Sequence, residues 1–171
     1  MKPFDLLSAP LTGRCLIEAS AGTGKTYTLA HMYLRVLLQG ESLPVESILV
    51  VTFTEAATGE LRGRIHALLT RALRLVESGL GDAADDPVAR ILAQCNPDAA
   101  RSALRTALYS FDNAAVYTIH GFCRRVLCEN AFETDSLFDS ELVTDESAFI
   151  DEAARDFYRR HFTDVSPLFA G

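Results

Sequence analysis

Ala19-Ser20-Ala21-Gly22-Thr23-Gly24-Lys25-Thr26 is the stretch on which the rest of the sequence turns. A short apolar run, Cys15-Leu16-Ile17-Glu18, precedes it, and helix-compatible sequence follows from Lys25 to Gln39 with Gly40 as the stop. Strand, glycine-rich loop, helix is the order in which a chain cradles a polyphosphate: the free N–H groups and dipole of a helix N-terminus attract an anion. Gly22 and Gly24 let the backbone curl close to it. Lys25 is placed to set its ammonium against the β- and γ-phosphates, and Thr26 to offer a hydroxyl to Mg²⁺, a cation that prefers hard oxygen ligands. The expected nucleotide-binding set is Ala19, Ser20, Ala21, Gly22, Thr23, Gly24, Lys25, Thr26 and Tyr27, with Lys25 and Thr26 catalytic, Thr26 as the Mg²⁺ ligand, and ATP and Mg²⁺ as cofactors. The usual pattern opens with glycine, where this chain has Ala19.

Outward from the loop, helical and apolar stretches alternate. In the first helix Leu29, Met32, Tyr33, Val36 and Leu37 fall on one face. Ser47 to Phe53 is a near-continuous β-branched run, the pattern of a strand buried on both faces. Residues 55–78 then read as a helix with Ala57, Leu61, Ile65, Leu68, Ala72 and Leu75 on one side, closed by the loop at 79–87. Asn96-Pro97 is an N-cap with a first-turn proline, opening a helix to about Ser110. Ala114 to Ile119 reads as a third strand, His120 to Phe132 as a helix, and Asp145 to His161 as a last amphipathic helix whose apolar side is Phe149, Ala153, Phe157 and Tyr158. The alternation predicts an α/β domain with a parallel sheet flanked by helices. Three strands leave that sheet incomplete.

Composition bounds the alternatives. Of 171 residues, 49% are hydrophobic and 23% charged, enough apolar side chain for a core. No stretch reaches the roughly 18 apolar residues of a membrane span, and residues 1–20 hold no long apolar run behind a basic start, so a cytoplasmic protein without a membrane partner is expected. The four cysteines show no CxxC pair and are expected as reduced, mostly buried thiols. Residues 1–128 carry 13 Lys/Arg against 12 Asp/Glu, whereas residues 129–171 carry 3 against 11, so the net charge of −7 belongs to the tail. A nucleic-acid partner for the first part is therefore compatible with the charge.

Two further segments end their strands as the first loop does: Val51-Thr52-Phe53-Thr54-Glu55-Ala56-Ala57 and Thr118-Ile119-His120-Gly121-Phe122-Cys123. Strand C-termini form the ligand edge of open α/β sheets. Hydroxyls and helix starts there suit phosphates, and exposed aromatics suit bases.

In order and wording the three motifs resemble those of the UvrD-type superfamily 1 helicases, and EASAGTGKT with TFTEAAT resembles the RecB-type branch, the exodeoxyribonuclease V β subunits. The resemblance covers about residues 10–135. It implies a P-loop NTPase, RecA-like fold and an ATP-dependent DNA helicase and exonuclease subunit of double-strand-break repair and recombination. Single-stranded or duplex DNA and other subunits of a helicase–nuclease complex are the implied partners. It places Phe53, Thr54, Glu55 and Ala56 along single-stranded DNA, with Arg62 on the helix that follows, and makes Thr118, His120, Gly121 and Phe122 a second strand-contacting element. Arg64 matches a basic position too, although Glu60 stands four residues before it as an ion-pair partner. Residues 1–135 are then the N-terminal part of the first motor domain, and 136–171 the truncated start of a helical insertion.

Two departures stand out. Leu11-Thr12-Gly13-Arg14 replaces the family's adenine-reading glutamine, and no Asp-Glu pair closes an apolar strand after the third motif. The chain alone is expected not to hydrolyse ATP at a useful rate. A small P-loop kinase is the rival enzyme reading, but the second half has no arginine-rich lid flanked by glycines and TFTEAAT is left without a role. A stand-alone nucleotide-binding product of a truncated reading frame is the other alternative.

Overall fold

The computed structural model describes residues 4–20, 22–39, 43–79, 85–131 and 145–162. The chain divides into two units, Met1–Arg125 and Val126–Gly171.

Within the first unit the longest helix, α2 (Glu55–Ser78), is the hub, packing on α1 (Lys25–Gln39), α3 (Pro87–Leu92), α4 (Pro97–Tyr109) and both strands. Leu61, Ile65, Leu68, Leu69 and Ala72 are its buried stripe, at the spacing expected of an amphipathic helix. Thr54 caps its start, accepting from Ala57 N at 3.1 Å, and Gly79 ends it at φ 84°. Asn96 caps α4 as its sequence predicts, accepting from the N–H groups of Asp98 and Ala99. The six-residue α3 is an addition to the expected elements, although Asp86-Pro87 carries the same signal as Asn96-Pro97: Asp86 accepts from Val88 N at 3.1 Å with proline in the first turn.

The described sheet has two strands, β1 (Val50–Thr52) and β2 (Val116–Thr118), parallel, with Val50 opposite Val116, Val51 opposite Tyr117 and Thr52 opposite Thr118. The first expected strand, Cys15 to Glu18, does not form. Residues 14–20 run without ladder bonds, and Leu16 is 84% exposed. β1 and β2 bond to each other, and a four-residue apolar run without a neighbour has no stability of its own. β1 is also shorter and less covered than its composition suggests. Val45–Ser47 forms a 3₁₀ turn, and Val51 is 42% exposed, because the described helices cover only the face that Val116 and Thr118 share.

The buried face of α1 also differs from expectation. Leu34 is fully buried and Leu29 is 48% exposed, and His31 and Arg35 join Ala30, Tyr33 and Leu37 inside. A second contact widens the stripe: the Arg35 guanidinium donates to the carbonyls of Leu6 and Ala9, tying the N-terminal segment to α1. Apolar periodicity cannot register a buried arginine that is satisfied by distant carbonyls.

Helix α5 (Ile119–Glu129) follows β2 directly and crosses from the first unit into the second. The second unit contains α6 (Ser147–Phe162), at whose start Asp145 accepts from Ser147 N. Its expected apolar side is on the surface, with Phe149 and Phe157 each 59% exposed. Gly40, most of the loop at 79–87, Phe132 and the acidic stretch 133–144 lie outside the described residues.

The cysteines are free, as expected, but not buried: Cys15 and Cys123 are exposed, and Cys95 and Cys128 half-buried. Cys15 lies in irregular chain, Cys95 in the bend after α3, and Cys123 and Cys128 on a helix without buried residues; burial pushes the Cys95 thiol up. Among the described residues no helix is long and apolar enough to cross a membrane.

Candidate functional site

The glycine-rich loop leads straight into the first turn of α1. Gly22 and Gly24 sit at φ 78° and 86°, in the left-handed region that side chains disfavour. A Cβ built on Gly22 would meet nothing within 4 Å, so backbone conformation, not crowding, requires glycine there. Thr23 closes the bend by donating its N–H and hydroxyl to Ser20 O. The Lys25 ammonium folds back onto the loop, donating to Ala19 O at 3.0 Å and Ser20 O at 2.9 Å. Thr26 is half-buried in the first helical turn, and Tyr27 is 47% exposed with its ring centroid 3.9 Å from that of His31. Ala21 lies outside the described residues. Two left-handed glycines, an open helix start and a lysine beside it form a donor set that could hold an anion such as a polyphosphate.

The recess beside Tyr27 and His31 is walled by Arg64 and Arg71 of α2, and holds about 250 Å³. It lies where α1 packs on α2, so the helix opened by the loop and the helix opened by Thr54 share one core. Arg64 is paired with Glu60 at 2.8 Å and Arg71 with Asp86 at 2.7 Å.

The other two motifs meet at one sheet edge. Thr52 and Thr118 are register partners on adjacent parallel strands, so the chain leaves both strands at the same end. Phe53 projects there, 86% exposed, followed by exposed Thr54, Glu55 and Ala56. On the β2 side His120 is exposed, and Gly121 and Phe122 are half-buried. Buried Thr118 joins the two sides: its hydroxyl donates to Glu55 Oε1 at 3.0 Å and accepts from Gly121 N at 3.0 Å. A Cβ on Gly121 would come within 3.1 Å of that hydroxyl oxygen. Thr52 and Thr58, outside the expected set, brace the turn through a 2.6 Å bond between their hydroxyls. The T-x-T-x-x-x-T spacing of residues 52–58 is the signal for them.

Arg62 stands apart from the edge. Its guanidinium donates to the carbonyls of Phe111 (3.2 Å), Asp112 (2.7 Å) and Ala114 (3.3 Å), and its central carbon lies 5.5 Å from the centroid of the Phe111 ring.

Residues 5–167 match the family described as UvrD/REP helicase N-terminal domain. The chain belongs to this family. Its sequence is of the RecB type: it is 50% identical over 167 residues to the RecBCD enzyme subunit RecB of Escherichia coli (strain K12), an overlap of 92% of this chain and 14% of that protein. The RecB subunits of Haemophilus influenzae and Mycolicibacterium smegmatis are 41% and 36% identical, over 94% and 95% of this chain. The chain thus spans about one seventh of the length of the curated relatives it matches. Its mixture of helices with a two-stranded parallel sheet is consistent with an incomplete α/β fold of that family.

Proposed function

We propose that residues 1–135 carry the ATP-binding loop and part of the single-stranded-DNA track of a RecB-type, ATP-dependent DNA helicase of double-strand-break repair, and that residues 136–171 begin a helical insertion. The fold is then the first part of a P-loop NTPase motor domain. The observation that carries the reading is the joint one: a two-glycine loop opening α1 under a lysine, and an exposed aromatic at a sheet edge built from the two other motifs.

Lys25 exchanges the carbonyls of Ala19 and Ser20 for the β- and γ-phosphate oxygens, and the Thr26 hydroxyl ligates Mg²⁺. The backbone from Ala19 to Tyr27 surrounds the phosphates. Mg-ATP supplies the free energy of phosphoryl transfer. Phe53 stacks on a base while Thr54, Ala56, His120, Gly121 and Phe122 follow the strand, with Thr118 beneath them. Other subunits of a helicase–nuclease complex and a cytoplasmic location belong to the same reading.

Among the described residues neither β1 nor β2 ends in an Asp-Glu pair, so this stretch alone is expected to bind Mg-ATP without turning it over. The test is strand separation by the full natural polypeptide that carries this chain, on a duplex with a single-stranded tail. Separation that needs ATP and Mg²⁺ and is lost in Lys25→Ala supports the reading, and a folded protein that separates nothing in the presence of both refutes it.

A further inference from the structure

We infer that Arg62 and Glu55 are positioning residues, which fasten the first two turns of α2 along β2 so that Phe53–Ala56 and His120–Phe122 meet the strand as one rigid element. The inference rests on the strand-contact reading above and assigns these two residues a different job within it.

Both residues bond to the protein's own groups, Arg62 through both terminal nitrogens and exposed Glu55 through Oε1. Three hydrogen bonds to the carbonyls of Phe111, Asp112 and Ala114, in the turn before β2, occupy the Arg62 guanidinium, and the Phe111 ring packs against it. The planar fork, with donors on separate nitrogens, is suited to such a divergent set of acceptors. Glu55 Oε1 accepts a hydrogen bond from the Thr118 hydroxyl, whose oxygen in turn accepts from Gly121 N–H. One bond chain thus runs from the start of α2 through the end of β2 to the first turn of α5.

The two fastenings are matched in span. Glu55 to Arg62 is seven helical residues, about 10 Å. Ala114 to Thr118 is four residues, at most about 13 Å, the first two bent by the Val116 N–H bond back to Ala114 O. The first two turns of α2 lie beside β2 and are fastened to it at two points, with Thr118 held at one and Ala114 at the other. A helix start fastened at one point can still pivot. Fastened at two, it carries its N-terminal motif wherever the end of β2 goes.

The test uses the full natural polypeptide, with fluorescent oligo(dT) and a fluorescent ATP analogue titrated in parallel. Arg62→Lys keeps the charge but offers one nitrogen in place of a fork, so oligo(dT) affinity should fall several-fold while nucleotide affinity holds. Glu55→Ala should weaken oligo(dT) binding in the same way, and Glu55→Gln, which keeps an oxygen for Thr118, should restore most of it. Natural affinity in Arg62→Lys would mean that Arg62 acts as a charge and would overturn the inference. Unchanged binding in Glu55→Ala, or tighter binding in both Glu55 variants, would overturn it too, as would loss of nucleotide and DNA affinity together. No oligo(dT) binding by the natural protein sinks the strand-contact reading, and the inference with it; normal binding that ignores all these substitutions sinks the inference alone.

Discussion

The Lys25 ammonium lies 2.9 Å from the carbonyl oxygen of Ser20, so the loop's single cationic side chain closes over the loop's own mouth. The same two carbonyls that hold it, those of Ala19 and Ser20, keep the charge beside the start of α1. Lys25→Ala removes a charge-assisted contact worth about 1.5–3 kcal/mol, and Mg-ATP affinity should fall by tenfold or more. Lys25 is exposed, so the melting temperature should change little. Titration with a fluorescent ATP analogue checks this, and an unchanged Kd removes Lys25 from the phosphate site.

Phe53 provides the complementary case. At 86% exposure its ring contributes almost nothing to the core, so truncating it leaves the fold and the loop at α1 untouched. Phe53→Ala should keep its nucleotide affinity and lose about 1–3 kcal/mol of single-stranded-DNA affinity, the usual value of one stacked base. Anisotropy titrations with a labelled oligonucleotide read the difference. Equal DNA affinity in the two proteins would show that the exposed ring has another purpose.

What was legible in the sequence followed from local chemistry. Lys25–Gln39 and Glu55–Ser78 are helices with the ends that the sequence predicts, because the glycine-rich loop, Thr54 and Gly79 set those boundaries through caps and backbone conformation. The meeting of the second and third motifs was legible too, since both end strands and parallel strands share an edge. The unreadable parts depend on distant partners. Cys15–Glu18 looks like a strand by composition, but a strand exists only through its neighbours. The face of α1 is set by the Arg35 bonds to Leu6 and Ala9, which are 29 and 26 residues away. Arg62 reads as a basic residue on a helix face, and only the fold brings the carbonyls of Phe111, Asp112 and Ala114 to it.

The burial of α1 can be tested by a pair of leucines five residues apart. Leu34 is fully buried in the cluster with Ile65, Leu69 and Leu104, while Leu29 is 48% exposed. Leu34→Ala should cost about 2–5 kcal/mol, the range for a fully buried leucine. Leu29→Ala should cost less than about 1 kcal/mol, in proportion to the smaller area it hides. Urea unfolding separates them: a large midpoint shift for Leu34→Ala alone confirms the face, and equal shifts would mean that the helix is rotated from the arrangement described here.

Tyr33 links the same interface to pH. Among the described residues its buried hydroxyl has no hydrogen-bond partner, and burial, followed by the nearby negative charge of Glu46, pushes the phenol up to about 12. An unfolded tyrosine titrates near pH ~10. The folded protein therefore holds this proton more tightly than the unfolded chain does. The resulting stability is fully present below about pH 10 and is lost as pH rises through about 12, with a total on the order of 1–3 kcal/mol. Tyr33→Phe has no ionisable group to lose and no hydrogen bond to break, and it relieves an unsatisfied buried hydroxyl. At neutral pH it should match the natural protein or exceed it by roughly 1 kcal/mol, and between pH ~10 and ~12 its advantage should grow. Urea midpoints at pH 8 and above pH 10 measure the difference between the two proteins, in which the titration of lysines and the other tyrosines cancels. If the two lose stability in parallel across that window, the Tyr33 phenol ionises as freely in the folded state as in the unfolded one, and the packing of α1 around it is looser than its burial indicates.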